Sequence, residues 1–448
     1  MSKNVKIRKG ANIKLVGEAV EKTVDSQMPS SFSIKPTDFH GTVPKMLLKE
    51  GAEVKAGTPI FQDKSNERIK YVSPVSGEIA EIVRGAKRRI LEVRILADKE
   101  QKPSEGTPFD TSGMERAQVC DILLAGGLWP FIKRRPYDVV ADPTEAPKSI
   151  FVSGFDSAPL GANIAYLLEG READFQKGID ALAKMTAGKV HVNVSSGDSS
   201  FISKTKNAQV NSISGPHPAG NVGIQIHHID TINKGDVVWT VDAQAVAMIG
   251  RYISTGKADF SRKIALVGSE VNDPVYLNTW TGASISSIVS GKTTDGDNRI
   301  IGGNVLTGEQ LLQDGYLGYY SNMVTVIPEG KESQFVGWIQ PNFHKFSLSH
   351  SYFSWLMPGK KYRLNTNLNG EGRAFVMSGQ YEDVLPMDVY PVHLLKAIMT
   401  NDIEKMEGLG IYEVAPEDLA LCEYACTSKT EVQSWIRKGL DIAMEELG

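Results

Sequence analysis

The sequence predicts an α/β protein of several domains, and three observations lead to this class. Segments of alternating polar and apolar residues open the chain, strand-like and helix-like segments alternate through its middle, and a helical period closes it. A length of 448 residues suggests about three domains, at roughly 100 to 200 residues each. The composition, 41% hydrophobic and 23% charged, is typical of globular proteins and excludes a disordered or collagen-like chain.

Charge and hydropathy exclude several classes of partner. The net charge of −4 and a pI of about 6.1 leave no positive field that would attract nucleic acid. The mean hydropathy is −0.20, and no apolar run approaches the roughly 18 residues that span a bilayer. The basic N-terminus lacks the apolar core of a signal peptide, and the 3 cysteines favour a reducing compartment. These features predict a cytoplasmic protein.

Residues 1–105 are predicted to form a barrel-sandwich of the biotinyl/lipoyl type. Residues 43–61 and 71–96 alternate with period two, and EGAEVKAGTPI and SPVSGEIAEIVRG form two quasi-repeats. Gly51, Gly57 and Gly77 provide the turns between strands. Lys64 lies near the position of a lipoyl-bearing lysine, but its distance from Ser73 departs from a lipoyl hairpin. We therefore expect an unmodified, solvated turn lysine.

Residues 106–260 are predicted to form a Rossmann-like α/β domain. Strand-like segments at 148–155 and 189–197 flank a helical segment at 170–188. Residues 236–256 read as a strand followed by a helix that ends at Gly256. The glycines at 215, 220 and 223 lack the GxGxxG spacing, so no nicotinamide site is predicted.

The rest of the chain divides into a small module and a tail. Residues 261–332 open with the strand-like KIALVG and are rich in glycine and threonine, which suggests a β-grasp module of the SLBB type. Residues 333–448 are predicted to be an aromatic, loop-rich linker followed by a helical domain. Its last segment, 429–447, has apolar residues every three or four positions.

Three histidines near one another raise the question of a metal site. His217, His227 and His228 lie in the string SGPHPAGNVGIQIHHID. An adjacent histidine pair on a strand would point to opposite faces, and a third histidine ten residues away does not match the usual zinc spacings. A turn followed by a strand with exposed histidines is therefore the favoured interpretation.

Two cysteines four residues apart would share one face of a helix. Cys422 and Cys426 are too few to hold an iron–sulfur cluster, which normally needs four thiolates. Small buried apolar side chains are the simpler interpretation. We find no Walker loop, GxSxG elbow or HExxH helix, so hydrolase and nucleotide-motor activities lack support.

The order of these domains resembles the flavin-bearing subunit of respiratory complex I and the RnfC subunit of the Rnf electron-transfer complex. Three strings, GPHPAGNVGIQIHHID, GQYEDVLPMDVYPVHLLKA and APEDLALCEYAC, are similar to signatures of the NqrA subunits of Na+-translocating NADH:quinone reductases. The resemblance covers essentially the whole chain.

The comparison with flavin-bearing relatives implies that two kinds of cofactor site are lost. Where those relatives have a loop like GxGGAGFP, this chain has AGGLWPFIKRRPYD at 125–138, with Trp129 and Pro130 in place of glycine. Ferredoxin-like cluster motifs have the spacing C-x2-C-x2-C-x3-C. When two tail segments are aligned with this spacing, one retains two of the four cysteines and the other retains none. These positions are Pro416, Leu419, Cys422 and Cys426, and then Phe375, Ser378, Tyr381 and Leu385. We expect no cofactor bound by this chain.

The resemblance implies a peripheral subunit on the cytoplasmic side of the bacterial inner membrane. Such a complex oxidises NADH on another subunit, passes electrons through flavins and iron–sulfur centres, reduces ubiquinone or menaquinone and translocates Na+. The implied partners of this chain are the membrane subunits and the quinone. We expect the isolated chain to be inactive with NADH.

A quinone site needs flat apolar walls and hydrogen-bond donors for the carbonyl oxygens. One short segment offers this mixture, and its candidate residues are Trp129, Phe131, Lys133, Arg134 and Arg135. The alternative is an aromatic core anchor beside a solvated basic turn, and with it a purely structural scaffold subunit that never contacts quinone.

Overall fold

The computed structural model describes residues 2–102, 106–331, 337 and 342–447. Two short strands come first, β1 (Asn4–Lys6) and β2 (Thr23–Asp25). The next seven strands are β3 (Ser31–Ile34), β4 (Pro44–Met46), β5 (Glu53–Val54), β6 (Pro59–Asp63), β7 (Lys70–Val72), β8 (Gly77–Arg84) and β9 (Ile90–Ala97). They form an antiparallel four-stranded sheet, β3-β9-β8-β5, and a three-stranded sheet, β4-β6-β7.

These two sheets are the predicted barrel-sandwich. Phe32, Ile60, Ile79 and Ile95 are fully buried in its core, and their burial follows from the alternation of apolar residues along the strands. Lys64 occupies an exposed turn directly after β6, where its backbone N–H donates to the Val43 carbonyl. The solvated position expected from the sequence is confirmed.

The α/β domain contains the following elements: α1 (Arg116–Ala125), β10 (Ile132–Arg135), β11 (Val139–Val140), β12 (Ser149–Ser153), α2 (Ile164–Leu167), α3 (Glu172–Leu182), β13 (Lys189–Ser195), β14 (Gln209–Ser214), α4 (Val222–Ile229), β15 (Val238–Val241) and α5 (Ala243–Thr255). Its seven-stranded sheet has the order β1-β14-β13-β12-β15-β10-β11. The first five strands are parallel, and β10 and β11 are antiparallel.

The direction in which the chain adds strands to the sheet reverses between β12 and β15. From β12 the chain winds to β13 and β14 on one side and then crosses to β15 on the other. Strand β15 is buried along its whole length, as expected for a parallel strand covered on both faces. Helix α5 begins at Asp242, whose carboxylate accepts from the Gln244 and Ala245 N–H groups, and ends at Gly256 in the left-handed conformation.

The third sheet belongs to the predicted β-grasp module. Its elements are β16 (Ser261–Val267), β17 (Val275–Trp280), α6 (Ile285–Val289), β18 (Asn298–Gly302), β19 (Glu309–Leu311) and β20 (Met323–Pro328). The strand order is β19-β18-β20-β16-β17-β2, so an N-terminal strand completes this sheet.

The two N-terminal strands pair with sheets outside the barrel-sandwich. β1 pairs in parallel with β14 of the α/β domain, and β2 pairs in parallel with β17. Residues 4–6 and 23–25, within the range 1–105 predicted for the first domain, therefore add strands to the two neighbouring sheets. A strand of three residues is too short to show an alternation of polar and apolar residues. The partner strands lie more than two hundred residues away, so these pairings could not be predicted from the sequence. Residues 103–105 at the expected boundary lie outside the described residues.

The described residues of the tail form the α-helices α7 (Gln380–Val384), α8 (Pro391–Met399), α9 (Ile403–Gly408), α10 (Ala420–Ala425) and α11 (Val432–Leu447). In the predicted linker, the described residues hold a 3-10 turn at Phe353–Leu356, and residues 332–336 and 338–341 lie outside the described part. The tail shares a second hydrophobic core with the α/β domain, in which Leu395 and Ile436 join Phe151 and Ile224. In the described ranges, no helix combines the length and apolarity needed to cross a membrane.

Candidate functional site

The loop after α1, at residues 126–128, packs tightly against its own domain and against the barrel-sandwich. The backbone N–H groups of Gly126, Gly127 and Leu128 donate to carbonyls of the last turns of α1, at 3.0, 3.3 and 3.0 Å. A Cβ on Gly126 would lie 2.6 Å from the Tyr252 ring, and one on Gly127 would lie 2.3 Å from Val72. These amides are therefore engaged and shielded, so they do not form the open cradle that a flavin phosphate requires.

Trp129 lies in the protein core. Its indole is fully buried, its Nε1–H donates to the Ala141 carbonyl at 2.7 Å, and its ring meets the edge of Trp239 at 5.5 Å between centroids. A buried tryptophan with a satisfied N–H is a packing anchor. Of the two interpretations given for Trp129 from the sequence, the core anchor matches this placement.

Phe131 belongs to an aromatic cluster at the meeting point of three domains. Its ring stacks on Tyr319 at 4.5 Å, and Phe39 contacts both Tyr319, at 4.8 Å, and Tyr71, at 4.4 Å. We call this group the interdomain aromatic cluster; its members are Phe39, Phe61, Tyr71, Phe131, Phe260, Tyr319 and Tyr320. It joins the barrel-sandwich, the α/β domain and the β-grasp module.

Lys133 and Arg134 are the two candidates that keep partial exposure. The Lys133 ammonium lies 4.4 Å from the centroid of the Tyr320 ring, at the edge of the interdomain aromatic cluster. Arg134 extends over the Tyr137 ring, and its Nε lies 3.1 Å from a Glu145 carboxylate oxygen. The two cations therefore serve different neighbours, although they are adjacent in sequence.

Arg135, predicted as a quinone-site candidate with a solvated basic turn as the alternative, is buried. Its guanidinium faces Glu417 at 2.6 Å, Asp418 at 3.2 Å and Asp138 at 3.6 Å. Burial raises the pKa of Asp418 to about 7, although Arg135 acts in the opposite direction. Asp138 also has Lys133 at 3.7 Å, and Glu417 is 40% exposed, so the fully buried Asp418 depends most on Arg135; one Asp418 oxygen has no hydrogen-bond partner. Arg135 thus joins the α/β domain to the tail.

The second half of the histidine string forms the helix α4 (Val222–Ile229), so the strand predicted there is wrong. The alternating Ile224 and Ile226 suggested period two, but the chain must cross from β14 to β15, and α4 makes that crossing. The expected exposure is also wrong for His217, which is buried. His217 Nδ1 lies 3.1 Å from the Ser157 hydroxyl, and His227 Nδ1 lies 2.7 Å from a Glu413 oxygen.

Each of the three histidines therefore contacts a different polar group. His228 Nδ1 lies 2.9 Å from the Ile224 carbonyl, within its own helix. Across residues 2–102, 106–331, 337 and 342–447, no three His, Cys, Asp or Glu side chains converge as metal ligands.

Cys422 and Cys426 are both buried, as the simpler interpretation predicted. The Cys422 thiol points to the Tyr381 carbonyl at 3.8 Å, and the Thr430 N–H donates to the Cys426 sulfur at 3.4 Å. Burial raises the pKa of the Cys422 thiol, which keeps it protonated and unreactive. The helix expected to carry both thiols ends one residue before Cys426.

A cavity that sequence analysis missed opens at the carboxyl ends of β12 and β13. It has a volume of about 490 Å³ and is lined by Gly154–Asp156 after β12, Ser195–Asp198 after β13, and Glu18, Glu21 and Tyr276. Ligands of open parallel sheets bind at this edge. The signal was the run of glycine, serine and aspartate after each predicted strand, but the participation of Glu18 and Tyr276 requires the folded chain.

The order of domains defines the class of protein: a multidomain α/β protein that carries a barrel-sandwich before its parallel sheet and a β-grasp module after it. Family models match each part in turn. The NqrA N-terminal barrel-sandwich hybrid domain matches residues 5–98, the NqrA second alpha/beta domain matches 114–258, and the NQRA C-terminal domain matches 263–313.

Curated relatives extend the match over the whole chain. The NqrA subunit of the Na(+)-translocating NADH-quinone reductase of Hahella chejuensis is 35% identical over 97% of this chain and 98% of its own length. The NqrA subunit of Neisseria meningitidis serogroup B is 34% identical over 99% and 100%, respectively. A solved NAD+-reducing [NiFe]-hydrogenase chain is similar over 48% of this chain, with 9% identity and a TM-score of 0.36. The chain belongs to the NqrA family of Na(+)-translocating NADH-quinone reductase subunits.

Proposed function

We propose that this chain is a peripheral subunit on the cytoplasmic side of the bacterial inner membrane, that it holds no redox cofactor of its own, and that it contributes quinone binding and docking to the membrane subunits. The absence of a redox cofactor is supported by the loop at Gly126–Leu128, whose amides are bonded within the protein. NADH oxidation and electron transfer through flavins and iron–sulfur centres then belong to its partners, which reduce ubiquinone or menaquinone and translocate Na+.

The quinone contact that we propose lies at the edge of the interdomain aromatic cluster. Trp129 and Arg135 are buried and bonded to other groups, so neither has a surface to offer a ligand. Lys133 keeps partial exposure beside the Tyr320 ring, with its ammonium 3.7 Å from an Asp138 carboxylate oxygen. An ammonium group can donate to a quinone carbonyl oxygen while an aromatic face supports the quinone ring.

Quinone titration of the purified chain tests this proposal. A short-chain ubiquinone and a short-chain menaquinone are titrated against the native chain, Lys133→Gln and the matched control Arg134→Gln. A hydrogen bond from a charged donor contributes about 1.5–3 kcal/mol, so Lys133→Gln should weaken binding roughly tenfold or more, and Arg134→Gln should change it little.

The burial of Trp129, Phe131 and Arg135 favours a second candidate, a scaffold subunit that never contacts quinone. Absence of saturable quinone binding by the folded native chain, or equal affinities for the two variants, would support the scaffold and remove the quinone contact.

A further inference from the structure

Residues 342–363 form a segment that we call the aromatic–basic loop. Its sequence, NFHKFSLSHSYFSWLMPGKKYR, contains six large aromatic residues and four lysines or arginines but neither aspartate nor glutamate. This composition contrasts with the net charge of −4 of the whole chain. The loop therefore combines aromatic residues with positive charge in a chain whose net charge is negative.

The inner side of this loop is held against the body of the protein. Tyr352 and Ser354 are buried, and the Ser354 hydroxyl donates to the Ser347 carbonyl at 3.2 Å. Phe346 packs on Tyr362 at 5.7 Å between ring centroids. The loop is joined to the body where the Phe346 ring lies 6.4 Å from the Tyr424 ring and the Tyr362 N–H donates to the Lys14 carbonyl at 2.8 Å. The outward side chains are therefore presented by a structured segment.

The outer side carries three apolar side chains in water. Phe343, Trp355 and Leu356 are 51%, 54% and 56% exposed. They belong to one patch, because the Phe343 ring lies 5.0 Å from the Phe353 ring, and Phe353 shares a 3-10 turn with Trp355 and Leu356. Exposed aromatic and aliphatic side chains grouped in this way indicate an interaction surface.

Basic groups without acidic partners surround this patch. Lys361 and Arg363 are paired with Glu18 and Glu270 at 2.8 and 2.7 Å. Lys345 and Lys360 form no ion pair with a carboxylate in the described part of the chain, and the Lys360 ammonium donates to the Phe343 carbonyl at 2.7 Å. Lys360 therefore lies beside Phe343, and Lys345, whose ammonium lies 5.4 Å from the centroid of the Tyr352 ring, is the second cation of the loop without a carboxylate partner among the described residues.

We propose that the aromatic–basic loop binds directly to the headgroup region of an anionic bilayer. Trp355, Leu356 and Phe343 would enter the boundary between headgroups and acyl chains, and Lys345 and Lys360 would contact lipid phosphates. Tryptophan is enriched at that depth, and lysines beside a membrane are attracted by anionic lipids. Aromatic side chains are also enriched at protein interfaces, but lysine is depleted there and is attracted by anionic lipid, so Lys345 and Lys360 favour the bilayer as the partner. The inference goes beyond docking to membrane subunits, since its partner is the lipid itself.

Vesicle binding by the purified full chain tests the proposal. Sedimentation is measured with phosphatidylcholine vesicles that contain or lack about 30 mol% phosphatidylglycerol, an anionic lipid. We expect binding to the anionic vesicles only, weakened at least tenfold in W355A/L356A and in K345Q/K360Q. The matched controls are Leu312→Ala, at a side chain 69% exposed outside the loop, and Lys64→Gln in its exposed turn; both should bind like the native chain.

Each other outcome overturns the proposal. The native chain could fail to bind anionic vesicles, or the loop variants could bind as well as the controls. A third result would be loss of binding to detergent-solubilised membrane subunits by the loop variants without any vesicle binding, which would assign the loop to a protein partner. Circular dichroism and thermal unfolding of all variants verify the fold. Quinone titration does not involve this loop, so failure of one proposal leaves the other intact.

Discussion

The guanidinium of Arg135 lies 3.2 Å from the carboxylate of Asp418, 283 positions later in the chain. Asp418 also lies against α4, because a Cβ on Gly223 would come within 2.1 Å of its carboxylate oxygen. The residue that the sequence suggested as a quinone ligand therefore connects β10 to the tail. Removing one partner of a buried ion pair of this kind leaves an uncompensated charge between the two segments.

We predict that Arg135→Gln destabilises the protein by about 3–5 kcal/mol, because it leaves buried carboxylates without their cation. Arg134→Gln, at a partly exposed pair with Glu145, should cost less than about 1 kcal/mol. Urea unfolding measures both values. Similar losses of unfolding free energy in the two variants would contradict the structural role of Arg135.

Trp129→Ala should lower the free energy of unfolding by about 3–5 kcal/mol, since it removes a fully buried indole and its hydrogen bond to Ala141. Trp355→Ala, on the surface, should change stability by about 0.5 kcal/mol or less. Thermal or denaturant unfolding compares the two. If Trp129→Ala unfolds like the native chain, Trp129 is not the core anchor described above.

Stability should fall as the pH is lowered from about 6.5 to about 4. Burial lowers the pKa of His217 to about 4, so the unfolded chain binds a proton at this histidine before the folded chain does. Burial lowers the pKa of His191 in the same way, to about 4. Above about pH 6.5 neither histidine makes the unfolding free energy depend on pH, and below about pH 4 the stability that they lose is fully lost.

The double variant His191→Gln and His217→Gln should flatten this part of the pH profile, measured as unfolding free energy against pH. His350→Gln, at an exposed histidine, serves as the control and should keep the native slope. An unchanged slope in the double variant would assign the acid sensitivity to other groups.

The purified chain should be colourless after expression with ample riboflavin and iron. The amides at Gly126–Leu128 are bonded to α1, and Cys422 and Cys426 are buried beside Tyr381. Absorbance spectra and metal analysis give the result. Flavin or iron near one equivalent per chain would contradict the proposal that this chain holds no redox cofactor.

The isolated chain should not oxidise NADH with an artificial electron acceptor. The loop from Gly215 to Gly223 lacks a dinucleotide spacing, and it contains a buried His217 and the start of α4. A complex reconstituted with its partner subunits provides the positive control. Turnover that follows the purified chain through successive columns would reveal a nucleotide site that we have missed.

Sequence patterns predicted the local elements where burial and periodicity agree. The strand at Ser149–Ser153, the helix at Ala243–Thr255 and its end at Gly256 were all predicted, because a strand buried on both faces and a capped amphipathic helix carry their own signals. The helix at Val222–Ile229 was predicted to be a strand, because two alternating isoleucines resemble a strand over so short a span.

The sequence by itself determined the order of the domains, the family and the absence of familiar nucleotide motifs, since these depend on residues close together in the chain. Only the tertiary structure decided that Arg135 is buried against Asp418, that β1 and β2 belong to distant sheets and that Glu18 and Tyr276 line one cavity. The physical reason is that burial, ion pairing and strand pairing at sheet edges depend on which distant segments come into contact. Local periodicity contains no information about those contacts.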